Sequence, residues 1–306
     1  MAMFKIENNR KLIFINEKPF KLEKEMQKIC EENLDIIFGF DLIRSEFTIH
    51  NFRIDTLAFD NQSKSFVIIE YKKDRSFSVV DQGYAYLSLM LNNKADFILE
   101  YNENCDKNLK REEIDWSQSK VIFISQSFTA HQIESINFKD LPIELWEVKR
   151  YRNDTIHFTH LQPSGATESI KTISKRGRTI EKVSKEIKVY TEDDHLIGVS
   201  AAVKELYQKF KEIILNIGDN INVKPTKWYI GFVVKRNIAD IHIQKKSLKI
   251  WINLRMGELD DPKNIARDVS NIGHWGNGDY EIQISDDENI EYIVSLIKQS
   301  YKKNSQ

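Results

Sequence analysis

Residues 53–72 read RIDTLAFDNQSKSFVIIEYK, and their pattern indicates the fold of the first half of the chain. Two apolar runs flank a polar turn at residues 60–63, a pattern typical of two paired strands. The second run, Phe66 to Ile69, is uninterrupted, so we expect a strand that is buried on both faces. Because successive side chains of a strand point to opposite faces, Glu70 and Lys72 should project from the same face.

Asp55 lies in the first of these two strands. If the hairpin places Asp55 beside Glu70, the two carboxylates can share a hard divalent cation, because Mg²⁺ prefers oxygen ligands supplemented by water and phosphate. Lys72 would then orient or deprotonate the attacking water and offset charge on a phosphate. An ordinary cross-strand charge ladder is the alternative. We favour the metal site, because a carboxylate at the end of a buried strand is costly without a metal or a partner.

The order of an Asp and then Glu-x-Lys on neighbouring strands, after an N-terminal helix, resembles the PD-(D/E)XK nuclease superfamily. The resemblance spans about residues 17–158, and the proline that names the superfamily is replaced here by Ile54. Four strings are similar to the nuclease domain of the NucS (EndoMS) group and its relatives: LEKEMQ at 22–27, RIDTLA at 53–58, IEYKK at 69–73 and DQGYAY at 81–86.

This resemblance implies an α/β fold of the restriction-endonuclease-like type, a mixed sheet flanked by helices. It implies that Asp55 and Glu70 bind Mg²⁺ or Mn²⁺ and that Lys72 is catalytic. The implied activity is hydrolysis of phosphodiester bonds in nucleic acid. The resemblance favours DNA as the substrate, while the residues themselves leave DNA and RNA open.

Two residues outside the strands receive roles from the same resemblance. Glu25 matches the acid on the first helix that often completes the metal site, with Glu23 as the competing assignment. Gln82 matches a helix glutamine that supports the active site or touches the substrate.

At 306 residues the chain is expected to hold two domains. We predict a nuclease-like domain over 1–161, a basic linker over 162–187 and a small α+β domain over 188–306. Between residues 171 and 185 six basic side chains stand against the single acid Glu181, which is typical of a solvated linker. A role in gripping phosphates is the alternative.

Hydrophobic periodicity predicts the elements of both halves. Helices are expected at 22–38, 79–91, 201–215 and 289–301. Strands are expected at 42–49, 53–59, 66–71, 97–99, 121–124, 144–149, 155–158, 228–234, 238–243, 248–254 and 280–284.

Residues 273–280 read GHWGNGDY, the most unusual string of the second half. One interpretation is a binding loop in which His274, Trp275 and Asp279 contact a ligand or nucleic acid. The other is a glycine-shaped turn with Trp275 closing the core. An enzymatic role for this domain would rest on His274 and Asp279 alone. Residues from about 188 to 301, with LDDP at 259–262, resemble a domain family of unknown function.

The composition limits the remaining classes. The chain has a net charge of −1, two cysteines without ligand spacing and no apolar run of 18 residues, so we expect a cytoplasmic protein without a membrane partner. A homodimer would suit cutting of both strands of a duplex. The main hypothesis is a metal-dependent nuclease whose C-terminal domain guides substrate recognition. The alternative is a catalytically inactive module that binds nucleic acid or protein.

Overall fold

A computed structural model describes residues 2–8, 10–73, 77–105, 107–162, 168–170 and 178–305. The chain divides into two compact units, Met1–Lys188 and Val189–Gln306. Within the described residues, no helix is both long enough and apolar enough to cross a membrane.

The first unit contains eight strands and six helices in its described part. The strands are β1 (Phe4–Glu7), β2 (Lys11–Phe14), β3 (Asp41–Ile49), β4 (Phe52–Asp60), β5 (Ser65–Lys72), β6 (Lys120–Ser125), β7 (Ile143–Arg150) and β8 (Ile156–Leu161). The helices are α1 (Glu23–Glu31), α2 (Leu34–Ile37), α3 (Val79–Asn92), α4 (Lys94–Asn104), α5 (Ala130–Ser135) and α6 (Arg178–Glu186).

Strands β3 to β8 form one six-stranded sheet in sequence order, and β1 and β2 form a separate hairpin. β5 pairs parallel with β6, and β6 with β7, while the other neighbours are antiparallel. Side chains of α1 such as Met26 pack with Ile69 on one face of the sheet, and side chains of α3 such as Leu87 pack with Ile68 on the other. The predicted mixed sheet flanked by helices is therefore confirmed.

The single helix expected over residues 22–38 is wrong, since α1 and α2 are separated at Asn33. The Asn33 side chain donates to the carbonyl oxygen of Ile29 at 2.8 Å, and Asn33 itself has non-helical backbone angles. Asparagine side chains compete in this way with helical hydrogen bonds.

The strand expected at Phe97 to Leu99 is also wrong, because these residues belong to α4. Phe97 and Tyr101 lie one helical turn apart, and both rings contact Phe66, with centroid distances of 5.7 and 6.4 Å. Leu99 is exposed. The short apolar run did not distinguish a strand from one buried face of a helix.

The segment expected as a basic linker includes α6, which begins at Arg178. Val183 and Ile187 are buried in the same core cluster as Tyr84 of α3, and so is Ile170. The basic residues mask an amphipathic helix that packs on the first unit, so this part of residues 162–187 is not a solvated connection. Residues 171–177, which carry Lys171, Lys175 and Arg176, lie outside the described residues.

The second unit contains six strands and three helices. They are α7 (Glu192–Leu196), α8 (Ala201–Leu215), β9 (Asn222–Pro225), β10 (Ile230–Val233), β11 (Asn237–Ile243), β12 (Leu248–Ile252), β13 (Arg267–Asp268), β14 (Tyr280–Ile284) and α9 (Ile290–Asn304). The strands form one antiparallel sheet in the order β13-β14-β12-β11-β10-β9. Apolar residues of α8 and α9, such as Phe210 and Ile297, pack with the sheet. The predicted separate α+β domain is confirmed as an architecture.

Two glycines of this unit give a matched test of its loop geometry. Gly278 has φ +86°, and a Cβ built there would lie 2.1 Å from the Ile252 carbonyl oxygen, whereas Gly257 has φ +88° and open space. We expect Gly257→Ala to cost about 1–2 kcal/mol for the left-handed backbone. Gly278→Ala should cost a further 1–3 kcal/mol, roughly, for the clash with backbone atoms. Chemical denaturation of both variants measures the difference, and equal losses would contradict the close approach.

Candidate functional site

Asp55 and Glu70 are brought together by the antiparallel pairing of β4 with β5. Thr56 lies opposite Ile69 in this pairing, so one further step of the same register places Asp55 opposite Glu70. The Tyr71 backbone N–H donates to Asp55 Oδ2 at 3.0 Å. The Asp55 carboxylate is thereby fixed against the end of β5.

Glu70 is almost fully buried, with 5% of the residue exposed. Its Oε1 accepts from Lys72 Nζ at 2.8 Å and from Gln82 Nε2 at 3.2 Å. Its Oε2 is buried and has no hydrogen-bond partner among the described residues. A buried carboxylate oxygen in this condition is costly. A cation bound at this oxygen would supply the compensation that the described residues do not give it.

Gln82 is held in place from α3. Ser78 caps this helix by accepting from the Asp81 N–H, which sets Gln82 in the first turn. Gln82 Nε2 also lies 3.3 Å from the hydroxyl of Tyr86, which donates to the Arg53 carbonyl oxygen at 3.4 Å. Gln82 thus connects the helix to the carboxylate of Glu70.

Asp55 and Glu70 place two acidic groups at the same end of the sheet. Burial, reinforced by the negative charge of Glu70, raises the pKa of Asp55 to about 6, and the hydrogen bond from the Tyr71 N–H and the nearby Lys72 oppose this only in part. Two carboxylates held side by side in this way favour a shared divalent cation, and Mg²⁺ is commonly held by one or two carboxylates with water and phosphate oxygens. The oxygens of Asp55 and Glu70 fit Mg²⁺ or Mn²⁺ in chemical type.

Glu25 does not join these groups. Its carboxylate pairs with Arg150 Nη2 at 3.2 Å. Glu23, the competing assignment, accepts from the Lys73 backbone N–H at 2.6 Å. Over the part of the chain that the structure describes, no group of three or more His, Cys, Asp or Glu residues could hold a metal ion. The predicted third protein ligand is therefore missing from the described geometry, because Arg150 orients Glu25 elsewhere.

The residue of α1 that does reach the site is Gln27, which sequence reasoning missed. Its Nε2 donates to the backbone carbonyl oxygen of Asp55 at 2.8 Å. It is 3% exposed. A polar residue between Met26 and Cys30 on the apolar side of the predicted helix was the signal that could have found it.

In the second unit, His274 and Trp275 line a pocket of about 570 Å³, whereas Asp279 does not line it. His274 Nδ1 lies 2.9 Å from the Gly276 carbonyl oxygen. The Asp279 carboxylate instead accepts from the Met256 N–H at 2.7 Å and shapes the loop. The predicted binding loop is thus split into two pocket residues and one turn-forming acid.

This loop is anchored by Asp240 of β11, which is completely buried. Asp240 Oδ2 accepts from the Asn277 backbone N–H at 2.5 Å and from Asn277 Nδ2 at 2.9 Å, and Oδ1 accepts from Asn237 Nδ2 at 2.5 Å. Burial raises the pKa of Asp240 to about 7 despite these donors. No motif or periodicity of the sequence predicts this network.

The chain matches one known domain family in its second half and one known protein over nearly its whole length. Residues 192–304 match the family described as a domain of unknown function, DUF5655. Over 288 residues the chain is 56% identical to an uncharacterized protein of Haemophilus influenzae, covering 94% of this chain and 95% of that protein. The chain therefore belongs to the same family as the Haemophilus influenzae protein.

Similarity to solved structures is weak. A repair endonuclease from Pyrococcus abyssi is 17% identical with a TM-score of 0.24, over 48% of this chain and 64% of that one. EndoMS in apo form is 16% identical with a TM-score of 0.25, over 44% of this chain and 59% of that one. The chain thus spans less than two thirds of the length of these two proteins, and such values assign no activity.

The pKa of Asp240 predicts a pH dependence of folding. Because this pKa is raised from 3.8 to about 7, the folded chain holds the proton more tightly than the unfolded chain. The contribution of Asp240 to the free energy of unfolding is full below about pH 4 and is lost as the pH rises through about 7. We expect the melting temperature of wild type to fall by roughly 4 °C or more between pH 5 and pH 8.

The variant Asp240→Asn should lose most of this pH dependence, whereas Asp219→Asn, a change of an exposed acid in the same unit, should keep it. Differential scanning calorimetry of the three proteins makes the comparison. A pH profile of Asp240→Asn that parallels wild type would contradict the raised pKa.

Proposed function

We propose that the first unit is a metal-dependent nuclease that hydrolyses phosphodiester bonds, with DNA as the favoured substrate. The observation that carries this proposal is the convergence of Asp55, Glu70 and Lys72, with Glu70 Oε2 buried and without a partner in the described chain. Two carboxylates and one amine buried at the end of a strand lose hydration free energy, and a purely structural role does not compensate this loss. The arrangement suits a cation and a phosphate.

In this mechanism Asp55 and Glu70 would hold Mg²⁺ or Mn²⁺. When bound, the ion supplies Lewis acidity and lowers the pKa of a coordinated water. Lys72, whose Nζ donates to Glu70 at 2.8 Å, is placed to orient the attacking water and to stabilise negative charge on the phosphate. Gln82 positions Glu70 through its hydrogen bond to Oε1.

One observation favours the alternative of a catalytically inactive binding module. Lys72 and Glu70 already form an ion pair, and the described residues supply only two carboxylates to the site. This ion pair neutralises part of the negative charge of the two carboxylates without a metal. The two hypotheses differ in one measurable property, which is metal-dependent cleavage.

The second unit is proposed to assist recognition of the substrate or of a partner. Its pocket contains His274 and Trp275, which sequence analysis selected, and cationic side chains at its wall. A homodimer stays a prediction in this scheme, suited to cleavage of both strands of a duplex.

Cleavage is tested on single-stranded, duplex and branched DNA with Mg²⁺, Mn²⁺ or EDTA. Wild type should cut at least one of these substrates with either metal and none in EDTA. Lys72→Ala should reduce the rate by about 100-fold or more, because both water orientation and charge stabilisation are lost.

Lys73→Ala is the matched control, since Lys73 is the exposed neighbour at the end of the same segment. It should retain the rate within a few fold, and circular dichroism should show that both variants fold. Equal rates for wild type and Lys72→Ala would exclude the proposed role of Lys72. Binding of DNA without cleavage, unchanged in Asp55→Asn, would favour the inactive module.

A measurement of metal affinity tests which of the predicted residues are ligands. We expect Mn²⁺ to bind wild type in isothermal titration calorimetry, and Asp55→Asn to weaken this binding at least about tenfold by removing a charged ligand. Glu25→Gln should bind Mn²⁺ like wild type, because Glu25 pairs with Arg150. A comparable loss in Glu25→Gln would restore Glu25 as a third ligand and contradict the present assignment.

A further inference from the structure

Two exposed tryptophans of the second unit are stacked on one another. The ring centroids of Trp228 and Trp275 lie 4.8 Å apart with an interplanar angle of 15°. Trp228 is 42% exposed and Trp275 is 51% exposed. The ring of His242 meets Trp275 edge-on at 4.9 Å. Large aromatic side chains exposed together in this way are typical of a binding surface.

Trp275 and His242 line the pocket of about 570 Å³ together with Trp251 and His274. Trp251 is 2% exposed, and a Cβ at Gly276 would lie 2.4 Å from its ring, so the glycine backbone packs directly on the indole. The imidazole of His274 stacks near Trp251 at 6.2 Å and 20°. Trp251 Nε1 is buried and has no acceptor among the described residues. Because this N–H has almost no exposed surface, Trp251 contributes an aromatic wall to the pocket and no open hydrogen-bond donor.

The charges of the pocket select the kind of ligand. Lys249 and Arg267 flank the carboxylate of Glu281, at 3.2 and 3.8 Å. Lys227 lies over the ring of Trp228 at 4.7 Å. Two lining cations against one lining acid disfavour a cationic guest such as a methylated lysine, whose aromatic cages attract positive charge. They suit a flat aromatic group attached to phosphate.

We propose that this pocket takes one unpaired base of a single-stranded nucleic acid, with the adjoining phosphates near Arg267 and Lys227. The volume of about 570 Å³ lies within the usual range for small-ligand sites. The base would stack on the exposed indole of Trp275. This inference deepens the proposed function and rests on it for the choice of nucleic acid.

The test measures binding of a fluorescein-labelled, mixed-sequence single-stranded DNA 12-mer to the full chain by anisotropy. EDTA is present, so that no cleavage can occur. Trp275→Ala should weaken binding about tenfold or more, because stacking on one base is lost. Trp275→Phe should restore most of the affinity, since a phenyl ring still stacks. Met256→Ala, which removes another exposed apolar side chain of the same unit, should bind like wild type.

Three outcomes would overturn the proposal. They are no binding of the 12-mer by wild type, equal affinity of wild type and Trp275→Ala, and Trp275-dependent binding of a trimethyl-lysine peptide in place of DNA. The nuclease proposal is judged separately by cleavage in Mg²⁺ or Mn²⁺. If wild type does not cleave DNA but binds it in a Trp275-dependent way, only the nuclease proposal is rejected. If wild type cleaves DNA but Trp275→Ala binds it equally well, only the pocket proposal is rejected.

Discussion

The burial of an acidic side chain at the end of β5 is the constraint on which the site depends. Glu70 lies in the central part of a mixed sheet, where a carboxylate loses most of its hydration. Lys72 from the same strand and Gln82 from α3 compensate one of its oxygens. Asp55 from β4 adds a second carboxylate instead of relieving the first. The local structure therefore holds two acidic side chains together at one end of the sheet.

Much of this arrangement could be predicted because it follows from the period of a strand. Alternation placed Glu70 and Lys72 on one face, and the turn after β4 placed Asp55 beside them. The role of Glu25 could not be read in this way, because its direction is set by Arg150, which lies 125 residues further along the chain. Contacts between distant segments leave no periodic signal.

The other errors have related causes. The run at Phe97 was too short to reveal its period, and only its contact with Phe66 explains the helix. The basic residues near Arg178 hid the few apolar positions, such as Val183, that bury α6. In the second unit, the loop string was recognised, but its anchor on Asp240 was not, since Asn277 and Asp240 are 37 positions apart. Composition predicts exposure on average, whereas packing decides it residue by residue.

We propose that Asp55 and Glu70 hold a divalent cation together. Crystals of the full chain grown with Mn²⁺, measured by anomalous diffraction, test it most directly. If both residues bind the ion, an anomalous peak should lie about 2.1 Å, as for Mg²⁺, from oxygens of both carboxylates. Absence of Mn²⁺ from this position at saturating concentration, with the ion pair between Lys72 and Glu70 intact, would contradict it.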